Sequence, residues 1–434
     1  MEGKEIRVNN IQKKLLILSY YWPPSGGSGV QRWMYFAKYL KKLGYEPIVI
    51  SVDEKKASYP NIDYSLLKEV EGIRVIKTTT REPLRWYSFL LSGDVKKGIP
   101  QGEIKTRNLI GKFLAFIRGN YFIPDARKGW IPFAIEEAEK LIKQEEIKEL
   151  VTSGPPHSTH LAGLKLKKLF DLNWWADFRD PWTEISYNSF LMRSNRSIRK
   201  DKMLETQVLE KASQVLVVSE EMKRSFANRC NQINVLHNGY DESDFEEQNN
   251  PQNPQFTITY TGNFKNNQNI NLWWECLKKM NLLKKNIVFQ IIGNIAPLIE
   301  ESIEQKDISM VVQKVSFVPH LEAIKFMQQA DLLFLPIPKV ENNLGILTGK
   351  IFEYLASKTP ILAMGPENGD ASKILSKLHR EPMIGYNDRQ KLEKTLNDHY
   401  DKWYNNTDTK IKSNLHNTFN RKNLTLKLID IING

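Results

Sequence analysis

Between Leu15 and Ser51 the chain passes from an apolar run, Leu15-Leu16-Ile17-Leu18-Ser19, through Pro23-Pro24-Ser25-Gly26-Gly27-Ser28-Gly29 into a segment of helical period. Val30, Trp33, Met34, Ala37 and Leu40 recur on one helical face, Gly44 supplies a stop, and Pro47-Ile48-Val49-Ile50-Ser51 reads as the next buried strand. This βαβ unit commits the chain to a parallel sheet covered by helices. The glycines let backbone approach a ligand closely, and the N-terminus of the following helix offers unpaired N–H groups and a positive dipole end to an anion. A competing reading makes the loop only a tight connection. Gly27-Ser28-Gly29-Val30-Gln31-Arg32 lacks the third glycine of the dinucleotide fingerprint, and no G-x-x-x-x-G-K-[ST] run occurs, so a nicotinamide enzyme and a Walker-type ATPase are both disfavoured.

Strand-like runs alternate with helical patterns from end to end, which implies a doubly wound α/β architecture. The first series is Leu15 to Ser19, Pro47 to Val52, Ile73 to Lys77, Glu149 to Thr152, Trp174 to Phe178, Val215 to Val218 and Asn234 to Leu236. The second is Phe256 to Thr261, Val288 to Ile292, Val315 to Val318, Leu332 to Leu335 and Pro360 to Ala363, with a helix over Leu272 to Met280. At 434 residues the chain exceeds what one core usually holds. The polar, Pro-punctuated stretch Glu246 to Gln255 has the composition of a linker, so the expected division is 1–245, a linker at 246–255, 256–410, and a C-terminal segment at 411–434. Ligands of such sheets bind beyond the carboxyl ends of the strands, so a ligand cleft between two facing domains is the expectation.

The 62 Lys and Arg residues exceed the 50 Asp and Glu residues, a net +12 that favours anionic partners without choosing among them. Nucleic acid is disfavoured, because the basic residues are scattered and no recognition motif accompanies them. Cys230 and Cys276 cannot form a disulfide framework, which favours a reducing compartment. No apolar core of a signal peptide precedes Leu15 and no run approaches the length of a membrane span, so a cytoplasmic location is expected. Residues 104–130 combine Leu109, Ile110, Phe113, Leu114 and Ile117 with Lys105, Arg107, Lys112 and Arg118. That basic amphipathic pattern fits a surface helix with its apolar face on the core, or peripheral docking on an anionic membrane.

Three clusters carry candidate chemistry. In Thr348-Gly349-Lys350-Ile351-Phe352-Glu353 a helix start would set Lys350 and Glu353 three residues apart on one face. That suits a diphosphate beside a sugar, Lys350 neutralising phosphate oxygens and Glu353 accepting from ribose hydroxyls, against the alternative of a surface ion pair. In Thr152-Ser153-Gly154-Pro155-Pro156-His157-Ser158-Thr159-His160, after a strand, His157 could orient a hydroxyl or transfer a proton near neutrality, whereas His160 reads as a helix cap. In Asp177-Phe178-Arg179-Asp180, again at a strand end, acid, base and acid can bind a polar substrate or satisfy one another. No Asp-x-Asp pair and no zinc or hydrolase signature occurs.

With these residues in place, the chain resembles the GT-B glycosyltransferases of glycosyltransferase family 4 over nearly its whole length. The carriers are Ser28-Gly29-Val30-Gln31-Arg32, Ser153-Gly154-Pro155-Pro156-His157-Ser158, Ala176-Asp177-Phe178-Arg179-Asp180-Pro181-Trp182, Val217-Val218-Ser219, His237-Asn238-Gly239-Tyr240-Asp241, Tyr260-Thr261-Gly262-Asn263, Ile292-Gly293 and Lys350-Ile351-Phe352-Glu353-Tyr354-Leu355. The resemblance implies two Rossmann-like domains, an N-terminal one for the acceptor and a C-terminal one for a nucleotide-diphosphate sugar, with the last helix returning to the first. It also implies transfer with retention and without a metal or other cofactor.

By position, Gly29 and Gln31 match the glycine loop near diphosphate and acceptor, and His157 the loop histidine near the transferred sugar. Glu353 matches the second glutamate of the acidic motif, and Val318, Pro319 and His320 match the wall of the base pocket. Gly345 stands where the family often has the first glutamate of that motif, leaving Asn342, Asn343 or Glu341 to contact the donor sugar. The basic pair after Gly262-Asn263 is incomplete, Lys265 being its nearby member.

The resulting expectation is a hexosyltransferase-type enzyme acting on a glycan or lipid-linked precursor in cell-surface polysaccharide synthesis. His157, Lys350 and Glu353 are its expected catalytic residues. The donor side adds Gly29, Gly262, Asn263, Lys265, Val318, Pro319, His320, Asn343 and Gly345, and the acceptor side Gln31, Arg32, Asp177, Arg179 and Asp180. A non-hydrolysing nucleotide-sugar epimerase and a catalytically silent nucleotide- or glycan-binding protein are the alternatives.

Overall fold

A computed structural model describes residues 13–59, 62–82, 109–185, 188, 191–230, 232–245 and 252–433, apart from the side chains of 28 and 109–114. The chain divides into two compact units, Met1–Val218 with Met222–Leu236 and Ile429–Gly434, and Ser219–Glu221 with His237–Leu428. The division falls ahead of the polar stretch at 246–255, of which 246–251 lie outside the described residues.

The first unit holds a seven-stranded sheet of β1 (Lys14–Leu18), β2 (Glu46–Val52), β3 (Arg74–Thr78), β4 (Glu149–Gly154), β5 (Asn173–Phe178), β6 (Gln214–Val217) and β7 (Ile233–Val235). Their order is β3-β2-β1-β4-β5-β6-β7 and every pairing is parallel. Its helices are α1 (Ser28–Lys42), α2 (Leu109–Tyr121), α3 (Ile131–Glu145), α4 (Ser158–Leu169) and α5 (Asn195–Lys211), and α6 (Glu220–Phe226) follows β6. Leucine and isoleucine fill β1 because both its faces are covered, and Leu15 to Leu18 are each 1% exposed or less. The α1 face read from the sequence is the buried one, Val30, Trp33, Met34, Ala37 and Leu40 being at most 2% exposed. Gly44, at φ +88°, lies in the left-handed region just past the helix end.

The second unit holds β8 (Phe256–Thr261), β9 (Ile287–Ile292), β10 (Val312–Val315), β11 (Leu332–Pro336) and β12 (Ile361–Met364), in the parallel order β10-β9-β8-β11-β12. Its helices are α7 (Asn271–Leu282), α8 (Pro297–Gln305), α9 (His320–Gln329), α10 (Gly349–Ala356), α11 (Asp370–Lys377), α12 (Arg389–Tyr404) and α13 (Arg421–Asn433), the last of which ends among the residues of the first unit. Along β11 the side chains alternate between two cores. Leu332 and Phe334 join Trp273, Phe289 and Met364, with Trp273 stacked on Phe334 at 3.9 Å, while Leu333 and Leu335 join Ile351, Phe352 and Leu355 of α10. The expected strand at Val315 to Val318 is displaced, since β10 ends at Val315 and Phe317 is 76% exposed. This is an edge strand with a half-covered face, where an apolar run no longer marks burial.

Both sheets reverse direction of winding at one point, between β1 and β4 and between β8 and β11. Those are the topological switch points where doubly wound sheets hold ligands beyond the strand ends.

In the first unit α1 is fastened to β5 by a closed polar network. Arg32 gives Asp177 hydrogen bonds of 2.7 to 3.1 Å from Nε and Nη2, Trp33 Nε1 adds one of 2.8 Å, and Ser153 Oγ one of 3.2 Å. Arg32 is 1% exposed and Asp177 fully buried. Removing one partner strands the other charge, so Asp177→Ala is expected to lower unfolding stability by about 3–5 kcal/mol, measured by urea denaturation. The paired replacement Arg32→Met with Asp177→Leu should recover most of that loss.

Candidate functional site

At the switch point of the second unit, β8 turns at Gly262, whose φ of +90° lies in the region that favours glycine. Gly293, at φ +124° at the end of β9, packs behind it, and a Cβ there would lie 2.8 Å from the Gly262 carbonyl oxygen. A Cβ on Gly262 would lie 2.9 Å from Lys350 Cε. The approach is fixed by Tyr354, whose buried hydroxyl accepts the Thr261 N–H at 3.0 Å and thereby pins α10 to the end of β8.

Lys350 extends from the first turn of α10 over the Tyr260 ring, with Nζ 4.9 Å from its centroid. It has no ion pair among the described residues. Burial lowers its pKa to about 8, Glu353 raising it and nearby Lys265 lowering it further. Just before it, Thr348 Oγ1 is buried and has no hydrogen-bond partner at the N-cap of α10. Sequence reasoning missed Thr348 as a site residue. Its one available signal was its place at the N-cap, where an unused hydroxyl and free helix amides favour an anionic ligand.

One turn along α10, Glu353 meets His320, with Oε1 3.9 Å from Nε2, and His320 Nε2 also lies 3.5 Å from Asp244 Oδ2. Burial raises the Glu353 pKa, while the charges of His320, Lys350 and Arg421 pull it back. Asp244 and Arg421, both unread in the sequence, therefore belong to the surroundings of Glu353. Val318 and Pro319 lead directly into α9, with Pro319 as its N-cap. Lys265 is exposed, and Asn263 Oδ1 accepts from Asn294 Nδ2 at 3.0 Å.

Asn343 stands apart from this group, because its amide donates to the Pro338 carbonyl and to the Tyr386 hydroxyl at 3.0 Å each. Gly345 packs against the Ser219–Glu221 segment, where a Cβ would come 2.9 Å from Glu221 Cβ and 3.1 Å from Ser219 Oγ. A side chain there would force that segment to shift.

In the first unit Arg32 and Asp177 are buried partners of each other, at 1% and 0% exposure. Arg179 instead reaches the start of α1, where a Cβ on Gly29 would lie 2.5 Å from its Nη1, and it also approaches Asp180 at 3.4 Å. Gln31, on the same first turn, is half-buried. His157 is 5% exposed and stacked on Trp182, with ring centroids 5.2 Å apart and planes 5° apart. Burial depresses its pKa to about 4, and neither ring nitrogen has a hydrogen-bond partner.

His160 does not cap α4. Asp125 does so, accepting from the Ser158 amide at 2.8 Å and its hydroxyl at 2.9 Å. His160 Nδ1 instead lies 2.9 Å from Thr152 Oγ1, which also accepts from Trp174 Nε1 at 2.9 Å. Of residues 104–130, residues 104–108 lie outside the described residues, and α2 keeps Phe116 and Tyr121 exposed while Gly119 packs on the Leu191 carbonyl. Among the described residues no helix is long and apolar enough to cross a membrane.

No family model matches the chain, and no curated protein matches it. Solved structures do. Sucrose-phosphate synthase from Thermosynechococcus elongatus matches with a TM-score of 0.66 at 13% identity, over 97% of this chain and 98% of that one. A glycosyltransferase from Rickettsia africae matches at 0.61 and 16% identity, over 96% and 97%. Anabaena HepE, in complex with UDP and glucose, matches at 0.60 and 11% identity, over 97% and 100%. Likeness at these identities shows the fold, GT-B, in agreement with the two doubly wound sheets.

The Gly262–Lys350 approach yields a stability test. Gly262→Ala is expected to lose about 1–3 kcal/mol through strain at positive φ and to displace Lys350. Gly349→Ala is the control, since a Cβ there meets nothing within 4 Å, and it should be neutral or slightly stabilising in the same thermal denaturation.

Proposed function

We propose that this chain is a glycosyltransferase that transfers a sugar from a UDP-sugar to a glycan or lipid-linked acceptor. The observation that carries the reading is Lys350, a cation without an ion pair among the described residues, set on Tyr260 beside the orphaned Thr348 hydroxyl at a switch point. An anion at the start of α10 would complete it. The base is taken to be uracil because HepE, of the same fold, is held with UDP and glucose.

In this reading the second unit binds the donor. Lys350 and the more exposed Lys265 meet the diphosphate, Glu353 accepts from ribose hydroxyls, and Val318, Pro319 and His320 border the base. As the glycosidic bond to the diphosphate lengthens, negative charge grows on the departing oxygen. A lysine already in place stabilises that charge with no reorganisation, which lowers the barrier without a covalent step. The basic side chains take the part a metal plays elsewhere, and transfer proceeds with retention. The first unit holds the acceptor, with Gln31, Arg179 and Asp180 lining it and Gly29 leaving room at the start of α1. Neutral His157 orients a sugar hydroxyl.

Lys350→Ala is expected to lower turnover about 10²–10³-fold with the circular dichroism spectrum unchanged; wild-type turnover in that variant would remove Lys350 from the mechanism. A thermal-shift panel of UDP-, GDP-, CMP- and dTDP-sugars should show stabilisation by the UDP compounds first.

The pH dependence follows from the depressed lysine. Its cation is fully present below about pH 8 and lost as pH rises through that value, so UDP affinity should fall above pH 8. The bound diphosphate favours the ammonium form, and calorimetry near pH 9 should therefore register proton uptake on binding.

We also propose peripheral work at the inner membrane face through α2, where Phe116 and Tyr121 are exposed. Failure to bind anionic vesicles at low salt would end that part of the proposal.

A further inference from the structure

At the opposite end of the second sheet lies a cleft of about 250 Å³, bordered by Pro360 and Ile361 at the start of β12, by Arg380 and Glu381 beyond α11, and by His399 and Lys402 of α12. Its volume is just under the ~300–1,000 Å³ usual for small-molecule sites. The Lys350 site, by contrast, sits beyond the carboxyl ends of the strands.

Arg380 is 9% exposed, and its Nε and Nη1 have no hydrogen-bond partner. It has no ion pair among the described residues, although Glu381 is its neighbour in sequence. His399 is 4% exposed, and both its ring nitrogens also lack hydrogen-bond partners. The nearest carboxylate oxygen, Glu381 Oε1, is 3.9 Å from His399 Nε2.

A structural duty for Arg380 at the end of α11 does not explain it. Backbone amides already serve that helix end, Arg380 N bonding to the Leu375 carbonyl at 2.9 Å and His379 N to that of Ser376 at 3.0 Å. A buried guanidinium with unused donors is unfavourable unless an anion joins it. Arg380 supplies a planar donor fork, His399 a ring N–H and Lys402 a mobile ammonium at the rim, a donor set that matches a tetrahedral oxyanion. Glu381 and Asp408, also on the border, can accept from hydroxyl groups but would repel a second anionic group.

We propose that this cleft is a second ligand site, one that binds a small phosphate monoester bearing hydroxyl groups, with Arg380 as its principal phosphate contact. The site is independent of the donor reading.

The test uses the full chain in phosphate-free buffer, with inorganic phosphate and glucose 6-phosphate as probes and thermal shift and calorimetry as readouts. Wild type should show a saturable rise in Tm with glucose 6-phosphate, and tighter binding of it than of inorganic phosphate. Arg380→Gln should weaken that binding at least tenfold, keep the response to UDP, and without ligand melt no lower than wild type, because an uncompensated cation has been removed. Lys402→Ala, a surface change, should weaken binding several-fold, and Lys350→Ala should leave it intact.

An unsaturable wild-type response, an equal response in Arg380→Gln, or loss in Lys350→Ala alone would overturn the proposal. Inorganic phosphate binding as tightly as the ester would overturn the monoester assignment. Should Arg380→Gln fail to fold, an undiminished response in Lys402→Ala would overturn it as well.

Discussion

The hydrogen bond from the Thr261 amide to the Tyr354 hydroxyl governs the placement of the second unit's candidate site. A strand that ends at a switch point leaves amides with no partner strand ahead of them. Here a helix side chain takes one of them, and that bond together with the apolar packing of α10 holds the helix at the strand end. Its first turn faces Gly262, so Lys350 rests where a Cβ on that glycine would crowd it, and Glu353 follows one turn later beside His320. The buried residues Ile351, Phe352 and Leu355 hold the other side of α10 against β11 and β12. Apolar packing and one hydrogen bond thus place Lys350 and Glu353.

The two units treat buried charge in opposite ways. Asp177 and Arg32 are as deeply enclosed as any side chains in the first unit, yet every acceptor position of the carboxylate facing the network has a donor within 3.2 Å. Such a pair is saturated, and its chemistry is structural. Lys350 and Glu353 are separated beyond ion-pair distance, and burial acts on both, lowering one pKa and raising the other. A charge kept incomplete in this way is available to a ligand.

Much of the architecture was legible because period and burial coincide. In β1, β5, β8 and β11 both faces are covered, so continuous apolar runs mark strands, and the heptad-like recurrence in α1 marks its buried face. The reading slipped at Val315 to Val318, where an edge strand and an exposed Phe317 separate hydrophobicity from burial. Among site residues, Lys350 and Glu353 were legible because helical spacing places them on one face. The Arg32–Asp177 pair was not, because its members lie 145 residues apart and each in isolation resembles a binding group. His157 was readable in position, but its burial and the nearby Asp180 and Arg179, which act on its protonation, come only from the folded chain.

α10 also joins the two ends of its sheet. Its eight residues advance about 12 Å. It begins at the Lys350 turn and leads through Ser357 and Thr359 into β12, whose first residues border the Arg380 cleft. Each end thus carries a cation that the fold leaves uncompensated, and α10 and β12 form the continuous packed element between them. Burying a charge opposes folding, so the apolar cores on both faces of that sheet must outweigh the cost of Lys350 on α10 and of Arg380 beyond α11. The stacking of Trp273 on Phe334 is part of that packing. The aromatic packing of the second unit and its two cations without an ion pair among the described residues thus belong to one sheet and its flanking helices.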